Sequence, residues 1–177
     1  MNVFSIYVDA ARVKTTFKPL VDKSFVMRRK DKEITDRARI ESIIRRSKVC
    51  RLAMVDENRP YMVPLCFGYK DNFLYFHSAR NGKKIDVLEK NDAVCFEFDV
   101  DSEPIKADNA CEWGMKYESV IGFGTASFID DLEAKREAMD IIVQQYLDGT
   151  YTYSDAKLNN ICIIKVEIIH MTGKQSG

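Results

Sequence analysis

The chain has 177 residues, 46% of them hydrophobic, enough for one sizeable core and too few for two ordinary domains with a linker. Lysine plus arginine and aspartate plus glutamate balance at 27 each, so the basic excess of a nucleic-acid binder is missing, while a small local anion site stays open. No window approaches the roughly 18 uninterrupted apolar residues of a membrane span, and Asp9, Arg12 and Lys14 interrupt any signal-peptide core, which predicts a soluble, cytoplasmic protein with no membrane partner.

Residues 1–26 mix apolar and basic side chains without a clean period; the domain is expected to run from 32 to 177, with 1–31 an N-terminal extension of no assigned role. From Thr35 the spacing turns helical, with Ala38, Ile40, Ile43 and Ile44 on one stripe and Thr35 or Asp36 able to cap the first turn. Val49 to Val55 reads as a strand, Asp56 to Pro60 as a turn and Tyr61 to Tyr69 as the partner strand; Lys70-Asp71-Asn72 then leads into a third strand at Phe73. Such sequential hairpins predict an antiparallel meander. Gly82-Lys83-Lys84 opens a helix carried by Ile85, Val87 and Leu88. Ala93 to Asp99 is a further strand, and Val100 to Asp108 a polar loop too charged to be buried. Ser119 to Ile129 is a long strand with Val120, Gly122, Gly124, Ala126 and Phe128 on one side, its alternate glycines marking a bend or the close approach of another backbone. Asp130 and Asp131 cap a helix with the stripe Leu132, Met139, Ile142, Val143 and Tyr146, Gly149 lies where it should stop, and Ile161 to His170 is the last strand.

Six strands joined by hairpins, with few helices, predict a mainly β fold: a small closed antiparallel barrel with helices at its rim, rather than a doubly wound parallel sheet. The five cysteines, Cys50, Cys66, Cys95, Cys111 and Cys162, are odd in number and sit mostly in apolar runs without ligand spacing. They are expected to be buried, reduced thiols, with no metal site.

The chemistry concentrates between Arg59 and Leu88, where two hairpin strands lead into a lysine-flanked helix start. A phosphate needs unpaired backbone N–H groups and positive charge, which Gly82, Lys83 and Lys84 supply. A planar ring needs a strand surface to lie on. Alternation puts Phe73, Tyr75 and His77 on one face of the preceding strand and Leu74, Phe76 and Ser78 on the other. The aromatics Phe67, Phe73, Tyr75 and Phe76 are assigned to the barrel wall and its contacts, since period-two aromatics are what such walls use.

The order of RPYMVPLCFGY, LYFHSA, GKK before a short helix, YESVIGFGTASFI and MTGK resembles the pyridoxamine-phosphate-oxidase-like FMN-binding split barrels and, among them, the nitroimidazole-resistance (Nim-type) branch. The resemblance covers roughly Lys32 to Lys174 and implies a six-stranded antiparallel split β-barrel that pairs as a homodimer, with FMN in each of two grooves between the chains. It further implies that Met62, Val63, Pro64 and Leu65 lie along the isoalloxazine, that His77, Ser78 and Ala79 run past the ribityl chain and phosphate, and that Lys83 and Lys84 grip the phosphate. From the partner chain, Trp113, Tyr117 and Ser119 would close the groove. Two departures stand out. Glu118 occupies a position where the family pattern expects arginine, and Met62 and Phe67 replace the basic residues of true pyridoxamine-phosphate oxidases, which argues against the vitamin-B6 reaction.

No general acid–base pair or nucleophile–base constellation stands out, as befits hydride transfer. The expected function is therefore an FMN-binding oxidoreductase passing electrons from NAD(P)H to a small oxidised acceptor such as a nitro compound. His77 is the candidate catalytic residue, for proton delivery or for a substrate carboxylate. The alternative is a flavin- or haem-binding carrier or redox sensor without turnover on the same barrel; a deazaflavin in place of FMN is a third option.

Overall fold

The computed structural model describes residues 27–177, so the expected extension, apart from residues 27–31, lies outside the described residues. After a short strand, β1 (Glu33–Ile34), helix α1 (Arg37–Arg46) begins where Asp36 accepts from the Ala38 N–H at 3.0 Å. Its buried stripe is Ile40, Ile43 and Ile44, whereas Ala38 is exposed. Strands β2 (Cys50–Asp56) and β3 (Arg59–Leu65) form one hairpin. A second joins β4 (Gly68–Lys70) to β5 (Phe73–Ala79) through Asp71 and Asn72, both at positive φ (49° and 66°), as a two-residue turn matched to strand twist requires. Helix α2 (Lys83–Lys90), the long pair β6 (Ala93–Ile105) and β7 (Gly114–Ile129), α3 (Leu132–Gln144), the short α4 (Asp155–Asn159) and β8 (Ile161–Ser176) complete the chain.

The sheet runs β3-β2-β6-β7-β8-β5-β4, with β1 added to β8, and every pairing is antiparallel. The expected strand Tyr61 to Tyr69 is therefore two strands, broken at Cys66-Phe67, and its halves lie at opposite ends of the sheet. The apolar run continues through the break because Phe67 is fully buried, 4.8 Å from the Phe98 ring centroid. Hydrophobicity alone therefore gave no sign of it. The expected meander is corrected accordingly, since β6, β7 and β8 stand between the two hairpins. Only two residues join the first and last strands of the sheet, so the sheet must curl round on itself. It curls without lacing its two ends together, and the barrel is split rather than closed.

Three further expectations are revised. The loop expected over Val100 to Asp108 is mostly strand: β6 continues to Ile105 past an irregularity between Val100 and Glu103, pairing with Gly114 to Lys116. Its charged side chains are exposed, but a backbone ladder does not need burial. The last strand also continues past His170, to Ser176. Cys50 is buried, yet Cys66 and Cys111 are exposed and Cys95 and Cys162 half-buried, all as free thiols. Cys66 sits at the strand break and Cys111 in a 3-10 turn (Ala110–Glu112), where side chains are not forced inward by the pleat.

One core fills the barrel, with Leu52, Phe67, Leu74, Phe76, Phe96, Phe98, Ile164 and Val166 fully buried and α1 contributing Ile43 and Ile44. Helix α3, capped by Asp131 on the Ala134 N–H at 2.8 Å, packs Ala138 and Ile142 on Ile163 outside it. The glycines of β7 mark a close approach, as expected. A Cβ on Gly122 would lie 2.2 Å from the Phe96 ring. Gly122→Ala is expected to lower stability by about 1–3 kcal/mol in chemical denaturation; an unchanged midpoint would show that Phe96 can move aside. No helix among the described residues is long and apolar enough to cross a membrane.

Candidate functional site

The split in the barrel has a definite location. Strand β4 pairs with β5 from Gly68 opposite Tyr75 to Lys70 opposite Phe73; continuing that register would set Cys66 opposite His77 and Pro64 opposite Ala79. Instead β3 turns away at the break and pairs with β2, from Leu65 opposite Cys50 to Arg59 opposite Asp56. Strand β5 runs on beside β8 to Ala79 opposite Ile161. Among the described residues β3 pairs with β2 alone, and residues 76–79 with β8 alone. Each keeps one free edge of N–H and C=O groups. Met62, Val63, Pro64 and Leu65 border this seam on one side, with Met62 and Pro64 exposed and the other two partly buried. His77, Ser78 and Ala79 border it on the other. His77 is exposed; the pleat sets it on the Tyr75 face, while Ser78 shares the Phe76 face and is paired with Cys162.

The start of α2 spans the wide end. Gly82 adopts φ 134°, and a Cβ there would meet nothing within 4 Å, so the approach to its backbone is open. The first helical hydrogen bonds run from Ile85 and Asp86 back to the Gly82 carbonyl, leaving the amides before them available to an anion. Lys83 Nζ lies 3.3 Å from Asp56 Oδ2 and 4.8 Å from the Tyr61 ring centroid, which ties α2 to the β2–β3 hairpin across the seam. Lys84 makes no ion pair among the described residues. Burial lowers its pKa, with the Cys162 thiol opposing; a nearby anion would reverse that shift. The adjoining cavity, lined by Val55, Asp56, Glu57, Val87, Lys90 and Asn91, holds about 190 Å³, below the roughly 300–1,000 Å³ of ligand pockets.

Trp113, Tyr117 and Ser119 lie elsewhere. Strand β7 stands three places from β3 and two from β5 in the sheet, so within one chain these residues do not border the seam. Trp113 is 55% exposed at the tip of the β6–β7 arm, its Nε1–H donating to the Ala107 carbonyl at 2.8 Å; the Tyr117 ring lies 5.6 Å from Lys174 Nζ, and Ser119 is buried. Glu118 accepts from Arg39 and Arg46 of α1, and Arg46 also pairs with Asp101, so two arginines and two carboxylates balance at this point of the strand. The hydrogen bond from Arg39 holds the Glu118 carboxyl below its usual range, burial opposes, and Arg46 adds to the lowering. A depressed carboxylate pKa gives stability that is present above the ordinary glutamate range and lost as pH falls through the lowered value. Glu118→Gln is therefore expected to flatten the acid limb of a stability–pH profile; an acid limb as steep as that of the wild type would contradict it.

The outer face of the sheet carries a lateral row, Met62–Ala53–Cys95–Phe123–His170, each residue paired with the next. Exposed Val55, Ile121 and Ile169 extend it, and Met62 is 59% exposed. This apolar surface is one a second copy could cover. Sequence reasoning missed Asp56 and Tyr61 as partners of Lys83. Their only signal was a turn acid and a strand aromatic, and neither pattern says what folds against them.

A family model described as pyridoxamine 5'-phosphate oxidase matches residues 36–175. A solved structure of a Bacteroides thetaiotaomicron protein proposed to be a 5-nitroimidazole antibiotic resistance protein is 39% identical, covering 81% of this chain and 86% of that one at a TM-score of 0.74. Two others share the fold: the flavocytochrome Anf3 of Azotobacter vinelandii (18% identity, 88% of this chain, 74% of that one, TM-score 0.78) and a FAD- and haem-binding protein of Mycobacterium smegmatis (20%, 82%, 73%, TM-score 0.75). No curated protein matches the chain.

Proposed function

Since the chain belongs to the pyridoxamine 5'-phosphate oxidase family, on the branch of the nitroimidazole-resistance proteins, we propose that it is an FMN-dependent oxidoreductase. It works as a homodimer, takes a hydride from NADH or NADPH and passes electrons to a small oxidised acceptor such as a nitro compound. The observation that carries this reading is the seam, where two free strand edges meet a helix start with open amides and two lysines.

The residues at the seam suit FMN. Lys84 is half-buried with no ion-pair partner among the described residues, and the space over Gly82 is open; both favour a phosphate. The free edge of β3 offers donors and acceptors to the polar rim of a flat ring, while Met62 and Pro64 offer apolar contact. When bound, FMN supplies the two-electron relay between nicotinamide and acceptor. The chain's own work is to bind, orient and shield. Gly82, Lys83, Lys84 and Ser78 hold the phosphate, and Met62 to Leu65 set the plane of the ring. A second copy brings Trp113, Tyr117 and Ser119 over the groove and excludes water. The His77 imidazole, exposed at the seam, delivers the proton that reduction of the acceptor consumes.

Anaerobic titration of the FMN-loaded protein with NADH and NADPH tests this. Bleaching of the yellow colour, and its return on adding a nitroaromatic acceptor, is the expected result. Colour that no nicotinamide bleaches would favour a carrier or sensor, and failure to take up FMN at all would remove the reading.

A further inference from the structure

Resting on the flavin reading, we propose that Tyr146 is a positioning residue that sets the width of the slot for the flavin ring, by fixing the β2–β3 half of the barrel against the β4–β5 half. Tyr146 lies just beyond α3. Its hydroxyl accepts from the Phe67 N–H at 2.9 Å and donates to the Lys48 carbonyl at 3.1 Å. Phe67 belongs to the break where β3 parts from β4, and Lys48 lies two residues before β2, the strand that holds β3. One oxygen therefore bridges the two halves at the point where the seam opens. The ring adds an edge-on contact with Phe67, at 6.3 Å and 81°.

Two neighbours make the bridge rigid. A Cβ on Gly68 would lie 2.6 Å from the Ile141 carbonyl oxygen, so the backbone of α3 sits directly against the first residue of β4. Gln145 Nε2 donates to the Arg45 carbonyl at 2.9 Å and the Ser47 carbonyl at 3.2 Å, fastening the same end of α3 to the end of α1. Helix α3 thus acts as a wedge in the split, and the Tyr146 hydroxyl is its point of attachment to both sides. Among the described residues the part-buried Phe67 N–H has this hydroxyl as its hydrogen-bond partner; losing the oxygen lets the two edges drift.

The test compares affinity for FMN with affinity for riboflavin, which has the ring and no phosphate. In Tyr146→Phe both should weaken by the same factor, about tenfold, because the slot and not the phosphate grip is altered. Lys84→Ala, in contrast, should weaken FMN alone. Mere loss of stability would lower the unfolding temperature and leave both affinities of the folded protein unchanged, so equal weakening is a signature of positioning. Gly68→Ala, which pushes α3 from β4, should weaken both ligands in the same way; if that variant does not fold, Tyr146→Phe decides. Affinities within twofold of wild type, or a loss confined to FMN, overturn the proposal. A wild-type protein that binds neither compound overturns the flavin reading itself, a different and recognisable failure.

Discussion

Replacing both Lys83 and Lys84 by alanine is expected to weaken FMN binding by about 2–4 kcal/mol, roughly thirtyfold to a thousandfold, and to leave riboflavin affinity nearly untouched. Hydrogen bonds to charged groups contribute about 1.5–3 kcal/mol each, and the two lysines should not contribute equally. Lys83 is 56% exposed and held by Asp56, so it must leave one anion to meet another, and solvent screens what it gains. Lys84 has no carboxylate partner to leave among the described residues and is partly desolvated. Its single substitution should account for most of the loss. Fluorescence titration of the two single variants and the double variant measures this directly, and an FMN affinity unchanged in the double variant would mean that the phosphate docks elsewhere.

A charge placed in the middle of the lateral row on the outer sheet face should convert a dimer into monomers. Phe123→Asp puts a carboxylate between Cys95 and His170, in a row whose other end is the exposed Met62. If two copies meet over this face, the substitution takes two carboxylates out of water at once, a cost of several kcal/mol. Light scattering should then report half the wild-type mass. Flavin affinity should fall with it, because Trp113, Tyr117 and Ser119 do not border the seam of their own chain. A wild type that is monomeric at every concentration, or a variant that stays dimeric, would show that this face is not the interface.

Much of the architecture was legible from pattern. The Ile40, Ile43 and Ile44 stripe, the Asp36 and Asp131 caps and the alternation along Val120 to Phe128 all fold as their spacing implies, because each depends on residues close in sequence. The break at Cys66-Phe67 was not legible. Phe67 is as apolar and as buried as any strand residue, and the hydroxyl that meets its N–H at the break comes from Tyr146, 79 residues further on. The candidate site divides the same way. Gly82-Lys83-Lys84 announces an anion locally, while Asp56 and Tyr61 become its neighbours only through the hairpin that α2 meets. Glu118 looked like an isolated acid in place of a base, and only the packing of α1 shows that Arg39 and Arg46 pair with it.

The arrangement of strands also dictates an order of assembly. Both hairpins, β2–β3 and β4–β5, close over short loops and can form in the nascent chain as soon as residue 79 has left the ribosome. Strand β8 lies between β7 and β5, so the second hairpin stays unattached to the rest of the sheet until some eighty further residues have been synthesised. Through that interval the inner faces of both hairpins, Leu52 and Met54 on one and Leu74 and Phe76 on the other, remain open to water, which makes the translating polypeptide, rather than the finished barrel, the species most exposed to aggregation and to chaperone capture.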